Sequence, residues 1–266
     1  MARMAFVSSL LMGLLVGAGS LEARTQDKPA EPKPGTFPEV ADADDDKARE
    51  LLDALEKALD GKDEEKIQAA LKPMINLRNK KFVGDLKKLL TDKRDEVAAL
   101  AAHALGSQED KKIGSLLAKV VTRPKEERGF YSQPKLLAAA IESLGRLGVT
   151  GAFDAIEDIA RNLLQERQMA AGYTELVQKS CIRYFGITKE KRAVSFLIGH
   201  FDEPAPDDPN SGSNPPESYW KARWKLWEVI RPEAVWALKE ITGENFETGR
   251  RWKAWFEEDG KKAGMK

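Results

Sequence analysis

Cysteine and histidine are almost missing from this chain, which has one Cys and two His among 266 residues. A single thiol excludes a disulfide framework within one copy. His103 and His200 lie in separate segments, and no H-E-x-x-H or C-x-x-C spacing surrounds them, so no metal motif is present. Net charge is also lacking: 43 basic residues balance 43 acidic ones. No global field then draws the chain to nucleic acid or a lipid surface, and no nucleic-acid partner is expected. A G-x-S-x-G elbow, a phosphate loop and a dinucleotide fingerprint are absent too. Acid pairs such as Glu64-Glu65 and Glu257-Glu258 read as solvated helix surface. The expectation is a non-enzyme with no catalytic residue, no cofactor and no metal.

Charge itself is plentiful. Charged residues make up 32% of the chain, and both signs are mixed, the pattern of many exposed helix faces. The 42% hydrophobic content still suffices for a buried core.

Residues 1–23 read as a signal peptide. Arg3 precedes an uncharged run from Met4 to Gly19, whose 16 residues fall short of a bilayer-spanning helix. Small residues at Ala18 and Ser20 suit cleavage after Ser20, and Leu21-Glu22-Ala23 offers a second site after Ala23. No cysteine near the cut supports a lipid anchor. The chain is therefore expected to be secreted or periplasmic, with no membrane span once the signal is removed.

Residues 24–46 carry Pro29, Pro32, Pro34 and Pro38 among lysines and acids, the composition of an extended tether. Asp42, Asp44 and Asp46 alternate as calcium ligands do. The loop positions that need glycine and glutamate hold Lys47 and Asp53 instead, so capping of the following helix is the better reading.

From residue 47 to 260 the pattern is helical, beginning with Leu51, Leu52, Leu55 and Leu59 at three-four spacing. Three segments align with one another: "EVAALAAHALG" ending at Gly106, "KLLAAAIESLG" at Gly145 and "ELVQKSCIRYFG" at Gly186, spaced by 39 and 41 residues. Val97, Leu136 and Val177 share one register position, Ala101, Ala140 and Cys181 another, and Leu105, Leu144 and Phe185 a third. Cys181 in a column of alanines reads as a small buried residue. Each segment is read as stopped by its glycine and followed by a second helix, over 111–121, 152–164 and 189–201. A helix pair of this length cannot bury its apolar face alone, so successive pairs must stack.

The unit "LLTDKRDEVAALAAHALGSQEDKKIGSLLAKVV" resembles the HEAT-repeat family, with Asp92 at the intra-repeat aspartate, Val97 at the hydrophobic position and Leu105-Gly106 at the close. The family's frequent arginine is replaced by Ala98. The resemblance implies an all-α fold, an α-solenoid of stacked antiparallel helix pairs that usually binds another protein, on a concave face lined by the second helices. The ending from Ala237 to Trp255 is similar to the closing segment of exported bacterial HEAT-repeat proteins, with an aromatic capping helix and a basic tail over 261–266.

A proline-rich surface loop interrupts the array over 202–217. Aromatic residues then concentrate, with all six tryptophans between Trp220 and Trp255. Trp220, Trp224 and Trp227 fall on one helix face, and Pro232 suits the first turn of a following helix that stops at Gly243. Trp252 and Trp255 read as the closing contact of the last repeat. The Trp220/Trp224/Trp227 face reads as the same kind of packing, or as a stacking site for a glycan or peptide. Seven cations between Arg78 and Arg94 (Arg78, Lys80, Lys81, Lys87, Lys88, Lys93, Arg94) form either a solvated face or a ridge for an anionic partner. The expected function is an exported, non-catalytic scaffold for a protein partner. The alternative is a glycan- or peptide-binding module using the Trp220/Trp224/Trp227 face.

Overall fold

The computed structural model describes residues 35–108, 110–122, 133–163, 171–206 and 208–265. The expected signal peptide 1–23, and the expected tether as far as residue 34, lie outside the described residues. Among those described, the protein is all-α. Its helices are α1 Asp45–Asp60, α2 Glu64–Met74, α3 Phe82–Leu89, α4 Asp95–Gly106, α5 Lys111–Val121 and α6 Pro134–Arg146. There follow α7 Phe153–Leu163, α8 Ala171–Ile187, α9 Val194–Ile198, α10 Glu217–Thr242 and α11 Gly249–Trp255, which runs into a π-helical turn over 256–260. The extended backbone pairs once, in parallel, between β1 Ala41–Asp42 and β2 Leu77–Arg78.

Local chemistry sets the helix ends. Asp44 accepts the Lys47 amide at 2.7 Å and caps α1, while Asp45 and Asp46 face the positive end of its dipole. The alternate aspartates thus act as a cap and its neighbours, with Asp42 beside Arg78 at 3.7 Å.

Packing follows chain order. The helix α4 lies between α2 and α6, α6 between α4 and α8, and α8 between α6 and α10. Helices α1, α3, α5, α7 and α9 flank this row, packing on α2, α4, α6, α8 and α10 respectively. All nine register residues from Val97 to Phe185 named above are buried, which explains why the 39- and 41-residue spacings recur. The row consists of the first helix of each repeat. Its faces are built from small residues such as Ala101, Ala102, Ala139 and Ala140, which let neighbouring backbones approach closely.

The repeat helices end at their glycines or one residue beyond, but the glycines are not left-handed caps: none of Gly106, Gly145 and Gly186 has positive φ. A Cβ on Gly186 would stand 2.5 Å from the Trp236 ring and 3.0 Å from Ala237 Cα, so this glycine is needed for the approach of α10. Gly243 alone among the expected stops is left-handed, at φ 76°, closing α10 through the Lys239 carbonyl. Pro232 does not open a new helix: α10 runs unbroken for 26 residues. The hydrogen bond that Pro232 removes would have ended at Glu228, which is exposed, so water can satisfy that carbonyl.

Side chains stitch the repeats together. Asp95 on α4 accepts the Lys135 and Leu136 amides at 2.9 and 2.8 Å, capping α6 from the preceding repeat. Ser143 donates to the Ala102 carbonyl and Tyr184 to the Val149 carbonyl. Asp92 bonds within its own turn to Arg94, so the inter-repeat contact of this turn comes from Asp95 and from Gln133 donating to the Asp92 carbonyl. At the far end Trp252 is buried edge-on to Phe246 and against Phe201, and its indole N–H donates to the Phe246 carbonyl.

Residues 35–43, expected as part of a tether, lie against the helical body as an extended strap. Gly35, at φ 72°, is seated on Trp236 of α10, Phe37 and Pro38 meet Arg146 of α6, and Ala41–Asp42 pairs with the strand between α2 and α3.

Candidate functional site

The three tryptophans singled out from the sequence do not present one open face. Trp220 is half-buried and edge-on to Tyr219. Trp224 is 36% exposed, and its indole N–H donates to the Pro204 carbonyl at 2.7 Å, holding the proline-rich loop to α10. Trp227 is half-buried under the Arg231 guanidinium, which also covers Phe201, and its indole nitrogen is buried without a hydrogen-bond partner. Nothing in α10 before Ile230 is fully buried, so this aromatic half-helix is covered less than the rest of the row.

The titratable groups are dispersed. Cys181 is wholly buried and burial pushes its thiol upward, as expected for a packing residue. His200 shares a 2.8 Å hydrogen bond with the Phe196 carbonyl and packs on the Phe196 ring, while its Nε2 is buried and unpartnered. Burial lowers its imidazole, favouring the neutral form. No group of three or more His, Cys, Asp or Glu side chains that could hold a metal ion occurs among the described residues.

The cations between Arg78 and Arg94 do not concentrate into a bare ridge. Asp42, Asp45, Asp85 and Asp92 stand beside Arg78, Lys81, Lys88 and Arg94, within 3.7 Å in every case. Lys80, Lys87 and Lys93 remain exposed.

A polar ladder crosses the central row instead. Arg183 on α8 binds Glu233 on α10 at 2.6 Å and stands 3.6 Å from Glu142 on α6. Ser180 donates to Glu142 at 2.9 Å. His103 on α4 feels the Glu142 charge, which pulls its imidazole upward, but burial is the larger effect and lowers it. His103, Glu142 and Arg183 occupy one register position, 39 and 41 residues apart, as the buried columns do. Two turns nearer the N-terminal ends of the same three helices, on the same face, lie the Glu96–Lys135 pair and Leu176, which is 37% exposed. This is a charged surface with one apolar point.

The ladder was readable in the aligned segments, since a His-Glu-Arg column in a helix repeat is a signal. Glu233 was not, because the loop after α9 lengthens the spacing from Arg183 to 50 residues. No family model, curated protein or solved structure matches this chain.

Proposed function

We propose that the protein is an exported, non-catalytic α-solenoid of the HEAT-repeat kind that holds a protein partner in the periplasm or cell envelope. The observation that carries this reading is the chain-order packing of alternate helices, α2 to α10, which gives one uninterrupted row with a polar ladder along it. The docking surface is assigned to the exposed side of that row and thus to the first helices of the repeats, in place of the second helices suggested by the family resemblance. Affinity on such a surface is spread over many modest contacts, with Lys135, Leu176 and Lys179 among the outward groups. Export rests on the sequence of residues 1–23.

One observation favours a second reading: Trp224 is among the few large apolar side chains left exposed, beside an indole nitrogen of Trp227 that lacks a partner. Those features suit a stacking site for a glycan or peptide.

Affinity capture from native envelope extract separates the two readings. The chain from Arg24 onward serves as bait beside its Trp220/Trp224/Trp227→Ala variant, both checked for helicity. Retention of the same protein by both baits is expected. Retention of only a glycan or small ligand, lost in the folded variant, would overturn the scaffold in favour of the tryptophan site.

A further inference from the structure

The strap over residues 35–43 makes contacts that a passive tether does not require. It is extended, with Gly35, Phe37, Val40 and Ala43 half-buried and Thr36, Pro38, Glu39, Ala41 and Asp42 exposed, close to the alternation of a bound strand. Its backbone is held at one end, where Ala41 and Ala43 donate to the Asn76 and Arg78 carbonyls at 3.0 Å. At the other end Gly35 fits where no other residue would: a Cβ there would stand 2.2 Å from Trp236, and φ is positive. Between these points the strap runs against chain direction, from α10 past α6 to the strand that follows α2.

Arg146, midway, is the odd feature. It lies one helical turn beyond Glu142 on α6. No carboxylate pairs with it among the described residues. It has only the Pro38 carbonyl, at 2.9 Å, and the Phe37 ring, at 5.2 Å. Burial lowers the guanidinium from its ordinary value, and the nearby Arg78 charge lowers it further, so the site is under-neutralised. Beneath Val40 a cavity of about 680 Å³ opens, lined by Arg146, Gly106, Ser107 and Gly148. Asp110 also borders it, but one of its carboxylate oxygens caps α5 by accepting the Lys112 amide at 2.8 Å.

We propose that the strap is a self-supplied occupant of a groove for extended peptides, and that the groove's preferred ligand is a partner segment with an aromatic residue followed by a carboxylate that reaches Arg146. The strap presents a neutral carbonyl where the groove presents an unpaired guanidinium. A charge-assisted bond there is stronger than a neutral one. The strap therefore holds the groove closed against weak ligands and yields to an acidic one. This inference rests on the reading of the row's outer face as the docking surface, and it adds the chemistry of the partner and a self-inhibited state.

The test uses fluorescence anisotropy with two labelled peptides: one has the chain's own sequence over 33–43, and the other carries Pro38→Glu. Each is titrated with the full chain and with its Gly35→Val/Phe37→Ala variant. Hydrogen exchange at the Ala41 and Ala43 amides reports whether the variant's strap is released, and circular dichroism whether its helices remain. The released variant should bind both peptides, the Glu peptide about tenfold more tightly, and an added Arg146→Ala change should erase that preference. The intact chain should bind both more weakly than the variant does. Three results would overturn the inference: no saturable binding by a folded variant with a released strap, equal binding by both chains, or dimers that keep their straps protected, which would mean a second copy supplies the segment. Should the variant bind no peptide yet still retain the captured protein, the inference alone falls. Should no protein be retained either, the docking reading falls with it.

Discussion

Arg183 on α8 places its guanidinium 2.6 Å from the Glu233 carboxylate on α10, joining two helices whose sequences are separated by the proline-rich loop. Only 7% of the Glu233 side chain is exposed, so the pair is largely removed from water. Removing one partner leaves the other charge without compensation. Arg183→Ala is expected to destabilise the fold by about 3 kcal/mol, read as a lowered urea midpoint with unchanged slope. An Arg183→Met/Glu233→Leu double variant should recover most of that loss, because a packed apolar pair has no buried charge to desolvate. A double variant no better than the single would show that the pair does not act as a unit.

The repeat glycines should respond unequally to alanine. Gly145→Ala places its methyl at 3.5 Å from Tyr184 and Ile187, ordinary contact, and should be neutral or stabilise by up to about 1 kcal/mol through helix propensity. Gly186→Ala drives a methyl into the Trp236 ring and the α10 backbone and should destabilise clearly. Thermal melting of the two variants checks the order, and similar melting temperatures would contradict the close approach of α8 and α10.

Stability should fall on mild acidification. The fold lowers the imidazoles of His103 and His200, chiefly by burial, so the unfolded chain takes up protons there first, near pH 6.5. Above that pH both states are neutral and nothing is lost; below it, stability declines until the folded imidazoles also protonate. Asp92 and Glu190, lowered by Arg94 and Arg192, stabilise above the ordinary carboxylate range and lose that contribution only in stronger acid. Urea midpoints at about pH 7 and about pH 5 should therefore differ in the wild type, and less in His200→Gln. Identical midpoints would contradict the burial of these rings.

The aromatic residues separate into core and surface. Trp252→Ala should cost about 3–5 kcal/mol, as large core truncations do. Trp224→Ala removes a partly exposed ring and one hydrogen bond to the loop and should cost about 1 kcal/mol. Denaturant titration distinguishes them, and a comparable loss for Trp224 would show that the half-helix is better covered than its exposure indicates.

Much of the all-α fold was legible because burial and period coincide. Val97, Leu136 and Val177 repeat where the row repeats, and a column of alanines marks where helices nearly touch. What was not legible depends on contacts between distant segments. The role of Gly186 was hidden because sequence alone does not show the Trp236 ring and the α10 backbone that need the space beside it. Pro232 read as a helix start because the exposure of Glu228, which lets its carbonyl do without an N–H partner, is a tertiary fact. The strap offers no period at all: Phe37 and Val40 are too few to show a face, and the groove that receives them is built more than a hundred residues later in the case of Arg146. Among candidate sites, the tryptophans were conspicuous by type, whereas the His103–Glu142–Arg183 column was visible only once the repeats had been aligned.

The most direct measurement is a map of photo-crosslinks by face. A photoreactive residue is placed singly at Glu96, Lys135 and Leu176 on the outer side of the row, and at Ser115 and Lys119 on the exposed side of α5, with each chain exported in its native envelope. The account predicts one protein adduct shared by the first three positions and absent from the two on α5. Adducts from α5 alone would contradict it, as would a row that crosslinks to no protein.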